Sequence, residues 1–141
     1  MYSCDQFFVF ILGINPNHLR GTRTGVFVGA MGGEAVDFNV LRTNRDNAGY
    51  IGLSLANFML PGRLSYAFHL QGPSLMASTA CSSSFSALEI AVNSMRLGAC
   101  EAAVVTGSCI HLNPQTHLDL LAVNVLAPDG RCKTFDETGT A

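Results

Sequence analysis

Apolar runs punctuated by glycine and proline predict an alternation of strands and helices along this chain. Gly25-Val26-Phe27-Val28-Gly29 is short, apolar on both faces and bounded by glycine, as expected of a strand covered on both sides. A glycine-rich turn follows. Gly49 to Met59, rich in Leu, Ile, Phe and Met, reads as a helix that Pro61-Gly62 should end. Gly72-Pro73 then introduces a second strand, Ser74 to Ser78, which runs directly into Thr79-Ala80-Cys81-Ser82-Ser83-Ser84.

The next helix is predicted over Ser82 to Leu97 and carries only Glu89 and Arg96 as charges. At 100° per residue Phe85, Leu88, Val92 and Met95 form one apolar stripe, and Ala87, Ile90 and Leu97 add apolar surface on other sides. Such a helix is expected to be buried on more than one face, as between two layers of sheet. Gly98 suits the left-handed position that ends it, and Ala102 to Thr106 reads as the following buried strand. The resulting β-α-β unit implies parallel strands. Asn113-Pro114 looks like an N-cap with proline at the first helical position, opening a short helix through about Val123. Pro128-Asp129-Gly130 is a turn signal.

No repeat, low-complexity tract or linker divides the chain, so it reads as one continuous unit. The apolar stretch Phe7 to Leu12 is far shorter than the ~20 residues of a membrane span. No Lys or Arg precedes it and no small-residue cleavage site is obvious after it, so a buried strand or helix remnant fits it better than a secretory signal.

Composition narrows the function. The 141 residues suit one domain or part of a larger one. Hydrophobic residues make up 48% and charged residues 13%, well under the roughly 25% charge of an ordinary soluble domain, which suggests a deeply buried piece. A net charge of −2 and a pI near 6.0 offer no basic face for nucleic acid or an anionic membrane. Five cysteines, Cys4, Cys81, Cys100, Cys109 and Cys132, form no CxxC pair and cannot all pair internally. This favours a reducing compartment, and a cytoplasmic location is expected. His18, His69, His111 and His117 include no HExxH or zinc-spaced cluster, so no metal is expected.

Among the candidate chemical groups, Cys81 is distinguished by position. It stands where a strand gives way to a helix, in a turn that resembles the nucleophile elbow of hydrolases. Only a thiolate attacks carbonyl carbon, and a free cysteine with a pKa of about 8.5 is mostly protonated at neutral pH. The unpaired N–H groups and positive dipole end of a helix N-terminus stabilise a sulfur anion and can hold an anionic oxygen during acyl transfer. Cys4, Cys100, Cys109 and Cys132 read instead as small core hydrophobes. Gly29-Ala30-Met31-Gly32-Gly33 misses the GxGxxG register at Met31 and is followed by no Walker lysine, so it reads as a tight loop. Asp136-Glu137 reads as a pair of solvated turn carboxylates without a catalytic role. The histidines read as structural or solvated, and none belongs to a local signature with Cys81.

The blocks Gly72-Pro73-Ser74 and Thr79-Ala80-Cys81-Ser82-Ser83-Ser84 strongly resemble the active-site region of the β-ketoacyl synthases of animal-type fatty acid synthases and related polyketide synthases. Ile14-Asn15-Pro16, Leu19-Arg20-Gly21-Thr22, Thr24 to Gly29, Arg63-Leu64-Ser65, Asn113-Pro114, Leu126 to Gly130 and Cys132 to Asp136 look like family segments in family order. The resemblance covers about residues 14 to 139, leaving 1–13 as a non-matching segment and 14–141 as a partial β-ketoacyl synthase N-terminal domain. It implies an α/β, thiolase-like fold: the N-terminal half of a layered architecture, with a mixed, mainly parallel sheet and a buried helix following the nucleophile. One half alone would expose apolar faces of that helix.

The resemblance also implies a mechanism. Cys81 would accept an acyl chain from the phosphopantetheine thiol of an acyl carrier protein, with its own backbone N–H in the oxyanion hole. The thioester would then condense with a carbanion formed by decarboxylation of malonyl-carrier. No bound cofactor is implied, and the intact enzymes are dimeric. Several residues depart from the family pattern: Ser78 stands where Asp is usual, Phe85 where Leu is common, and Pro61-Gly62 where Ala-Asn precedes Arg63. The family's two catalytic histidines fall beyond Asp136, and none of His18, His69, His111 or His117 aligns with them. The expected function is therefore that of a fatty acid synthase condensing-domain fragment, inactive in the full reaction by itself. A polyketide synthase fragment, or a non-catalytic remnant that only binds a partner, is the alternative.

Overall fold

The computed structural model describes residues 15–31, 56–109, 111 and 113–139. They fall into two compact units, Met1–Cys109 and Ile110–Ala141. In the first, a 3-10 turn at Pro16–Leu19 leads to strand β1 (Thr24–Ala30), helix α1 (Met59–Phe68), strand β2 (Ser74–Ala77), helix α2 (Ser83–Arg96) and strand β3 (Ala102–Ser108). The second contains helix α3 (Pro114–Ala122) and the turns that follow it.

The sheet has the order β2-β1-β3, with both pairings parallel. Every residue of β1 is buried, the physical reason its sequence runs apolar without alternation. Its two faces nevertheless meet different partners, since successive Cβ atoms point to opposite sides. Val26, Val28 and Ala30 pack with Phe68 and Leu70, joined by Leu19, Leu60, Leu64 and Met76. Phe27 packs with Ala77, Ala87, Ala91 and Cys100, joined by Ala103 and Val105. Helices α1 and α2 thus cover opposite sides of the same central strand, and the β2-α2-β3 crossover passes over β1.

Helix α1 departs from the sequence expectation. Residues 49–55 of the predicted Gly49 to Met59 helix lie outside the described residues, but Pro61-Gly62 opens a helix where it was expected to close one. Met59 is the first residue of α1, so Pro61 falls in its first turn, where helical N–H groups have no intrahelical acceptor and the missing proline N–H costs nothing. The helix ends instead at His69, in the left-handed region with φ 51°. The Leu70 N–H then donates to Ser65 O at 2.9 Å.

Helix α2 begins and ends as predicted. Gly98 (φ 70°) follows it, its N–H donating to Met95 O at 3.0 Å and that of Ala99 to Ser94 O at 2.9 Å, the paired bonds of a Schellman motif. Arg23 Nη2 donates to the Gly98 carbonyl at 2.5 Å, which ties this helix end to the start of β1. The face of α2 turned to the sheet differs from the predicted stripe. Ser83, Ala87 and Ala91 are its buried residues, whereas Phe85, Leu88, Val92 and Met95 are exposed. Small side chains lie inward along this face: Ala87 and Ala91 pack with Phe27, Ala77 and Cys100, and Ser83 lies against the backbone at Gly29.

In the second unit Asn113 caps α3 as predicted, its Oδ1 accepting the Gln115 N–H at 2.9 Å with Pro114 at the first helical position. Gly130 (φ 66°) closes the predicted turn, its N–H donating to Ala127 O at 2.9 Å. Among the described residues no helix is long and apolar enough to cross a membrane.

Candidate active site

The chain leaves β2 at Ala77 and enters α2 at Ser83. The five intervening residues, Ser78 to Ser82, are all exposed, and Cys81 is a free, exposed thiol. It stands one residue ahead of the N-cap Ser82, at the positive end of the α2 dipole. Ser82 places no capping bond on the helix. Its hydroxyl donates to Thr79 O at 2.7 Å, with Thr79 Oγ1 at 3.0 Å, so no N-cap side chain blocks the first helical turn.

Two features set the turn's shape. Ala80 adopts a positive φ of 54°, a conformation unfavourable for a residue with a Cβ. The strain of this elbow therefore falls on the residue before the cysteine. Ser83, at 4% exposure, lies beneath the turn: its Oγ accepts the Thr79 N–H at 2.9 Å and donates to Ala80 O at 2.6 Å. Thr79 Oγ1 and Ser86 Oγ, 2.8 Å apart, link the turn to the second turn of α2. Sequence reasoning singled out Cys81 but assigned no role to the serines that follow it. The signal for a buried tether was the run of three serines opening a helix, since such hydroxyls readily bond nearby backbone.

The remaining candidates are dispersed. His18 lies exposed in the 3-10 turn and His69 closes α1, its ring 6.2 Å from that of Tyr66. His111 and His117 are exposed residues of the second unit. The turn's side-chain hydrogen bonds run among Thr79, Ala80, Ser82, Ser83 and Ser86. Cys100 is buried beside Phe27 as expected, but Cys109 and Cys132 are exposed, which corrects their reading as core hydrophobes; Cys109 follows the end of β3, and Cys132 lines an open cavity of about 850 Å³ with His117 and Arg131. Cys4 lies outside the described residues. Asp136 is fully exposed and caps its own turn. The Thr138 backbone N–H (2.8 Å), and then the Thr138 hydroxyl (2.7 Å), hold its carboxyl below the usual aspartate range. No group of three or more His, Cys, Asp or Glu side chains suited to a metal occurs among the described residues.

The chain as a whole has recognisable relatives. Residues 11–141 match the family described as Beta-ketoacyl synthase, N-terminal domain. The chain is 45% identical over 127 residues to the fatty acid synthase of the goose Anser anser anser, covering 90% of this chain and 36% of that protein. It is 41% identical over 126 residues to the highly reducing polyketide synthase dmxL2 of Cryptosporiopsis sp. (strain 8999), covering 89% of this chain and 5% of that one. Among solved structures, the ketosynthase domain OzmH KS7 of Streptomyces albus JA3453 superposes with a TM-score of 0.67 at 37% identity, over 83% of this chain and 20% of its own. The ketosynthase from module 6 of the Bacillus subtilis 168 bacillaene synthase gives a TM-score of 0.67 at 27% identity, over 88% and 20%. The chain thus spans only a minor part of each relative's length, and what it does span has their α/β, thiolase-like fold. By sequence and by fold, this chain belongs to the β-ketoacyl synthase N-terminal domain family.

Proposed function

We propose that this chain is the nucleophile-bearing part of a condensing domain of the animal fatty acid synthase type, with Cys81 as its acyl acceptor. The observation that carries the reading is the placement of Cys81: an exposed thiol on a strained strand-to-helix turn, one residue ahead of a helix whose N-cap side chain makes no capping bond. In this reading the Cys81 thiol loses its proton to water, and its sulfur attacks the carbonyl carbon of a thioester carried on the phosphopantetheine of an acyl carrier protein. The carbonyl π pair moves to oxygen, where backbone N–H groups stabilise it. Collapse of this intermediate breaks the carbon–sulfur bond to the carrier, whose thiolate recovers a proton from water. The acyl group then rests on Cys81 as a thioester, which splits one condensation into two easier steps.

The second step is decarboxylative condensation with malonyl-carrier, giving a 3-oxoacyl-carrier product. His18, His69, His111 and His117 do not correspond to the family's histidines for that step, so the half-reaction assigned to these residues is acyl transfer. The reading places the protein in a reducing cytoplasm, with an acyl carrier protein domain as its partner and dimerisation in the intact enzyme.

A polyketide synthase assignment is the second reading, favoured by 41% identity over almost the same span. The two differ in acyl substrate. Straight-chain saturated acyl-carrier thioesters are expected to label Cys81 faster than α-methyl-β-hydroxyacyl ones. The reverse order would favour the polyketide reading, and labelling by neither would overturn both.

A further inference from the structure

We infer that Ser83 is a positioning residue for acyl transfer: its buried hydroxyl fixes the peptide plane that carries the Cys81 N–H. This inference rests on the assignment of Cys81 as the acyl acceptor. The Ala80 carbonyl and the Cys81 N–H belong to one trans peptide unit, and all described peptide bonds are trans. Within such a unit the C=O and N–H are held in a common plane and point in opposite directions. Whatever holds the Ala80 oxygen therefore aims the Cys81 N–H.

Ser83 holds that oxygen twice, through its hydroxyl at 2.6 Å and its backbone N–H at 3.1 Å. The same Oγ accepts the Thr79 N–H at 2.9 Å, so one atom bridges the Ser78–Thr79 and Ala80–Cys81 peptide units, which lie on either side of the Thr79–Ala80 unit. The chain turns back between those two units at Thr79 and Ala80, the latter at a positive φ. The grip also offsets the strain of that conformation. Ser83 is itself immobilised: it is buried, and a Cβ at Gly29 would lie 2.5 Å from its carbonyl carbon and oxygen, so the backbone of β1 sits directly against it.

When the Cys81 sulfur bonds to a thioester carbonyl, the displaced electron pair collects on the carbonyl oxygen, and a donor helps only if it points where that oxygen develops. Loss of the Ser83 hydroxyl leaves the weaker backbone bond to steer the peptide. The expected loss is about tenfold in acylation rate, below the ~10²–10³ lost when an oxyanion donor is removed outright. Alkylation of Cys81 develops no oxyanion and needs no aimed N–H.

The test compares the two reactions on the full 141-residue chain and on Ser83→Ala. Acylation by a hexanoyl thioester of N-acetylcysteamine and alkylation by iodoacetamide are both followed at Cys81 by peptide mass spectrometry. The expected result is acylation slowed about tenfold with alkylation within about twofold. Equal rates in parent and variant, or equal slowing of both reactions, would overturn the inference while leaving Cys81 as acyl acceptor. A parent chain that is alkylated but never acylated would overturn that assignment, and this inference with it. If Ser83→Ala loses its helical circular dichroism, Ser83→Thr decides: the retained oxygen should restore acylation relative to alkylation, and selective loss of acylation there would overturn the inference.

Discussion

Gly29 and Gly107 stand directly opposite each other across the β1–β3 pairing, and both lie under the first turn of α2. A Cβ at Gly29 would come within 2.5 Å of the Ser83 carbonyl group and the Ser84 nitrogen, and one at Gly107 within 2.7 Å of Ser84 Cβ. The pair forms a flat platform on which the start of the helix rests against bare backbone. That platform sets the height of the turn carrying Cys81. Gly29→Ala is expected to destabilise the chain by about 3 kcal/mol, the upper end of the usual cost of overpacking, because the atoms it meets are helix backbone. Gly107→Ala is expected to cost about 2 kcal/mol, since it meets one close atom, Ser84 Cβ, where Gly29→Ala meets three. Denaturant unfolding of both variants checks the order, and a smaller cost for Gly29→Ala would contradict the platform.

The two faces of α2 should respond oppositely to substitution. Phe85 is 76% exposed, so Phe85→Gln is expected to change stability by no more than ~0.5 kcal/mol and to reduce self-association in analytical ultracentrifugation. Ala87 and Ala91 are each 1% exposed against the sheet, and Ala87→Leu or Ala91→Leu should cost about 1–3 kcal/mol through overpacking.

Gly62 and Gly98 both have open space where a Cβ would stand, so only backbone conformation separates them. Gly98 has φ 70°, and Gly98→Ala should cost about 1–2 kcal/mol, the strain of a left-handed alanine. Gly62 lies within α1 at no positive φ, and Gly62→Ala should stabilise by about 0.5–1 kcal/mol. Thermal unfolding should move Tm in opposite directions for the two variants.

Asp136 gives the structure a local pH dependence. Its folded-state carboxyl is depressed by the Thr138 N–H and hydroxyl, so the bonds are fully present above the ordinary aspartate pKa and are lost as pH falls through the lower folded value. An NMR titration should place the Asp136 midpoint below that of an ordinary aspartate. Thr138→Val should raise it part of the way back, because the backbone N–H, the larger cause, remains.

The strands, α2 and the cysteine turn were legible because glycine and proline punctuate apolar runs, and β1, buried along its whole length, carries the unbroken apolar pattern of a doubly covered parallel strand. Pro61 misled because one residue type both ends helices and fits their first turns. The buried face of α2 was missed because hydrophobic periodicity weighs large side chains, whereas the side turned to the sheet carries the small residues Ser83, Ala87 and Ala91. Gly29 did carry a signal, since glycine inside a strand often marks close approach of another backbone. The second grip of Ser83 was not legible, because it depends on the left-handed turn at Ala80, a residue whose type gives no hint of it.

The central claim is that Cys81 takes up an acyl group by virtue of its place ahead of α2. Its most direct test is intact and peptide-level mass spectrometry of the chain after incubation with a hexanoyl-acyl carrier protein thioester. The expected result is one hexanoyl adduct, mapped to the peptide containing Cys81 and absent in Cys81→Ala, with Cys100 and Cys132 unmodified. An unmodified chain, or an adduct that persists in Cys81→Ala, would contradict it.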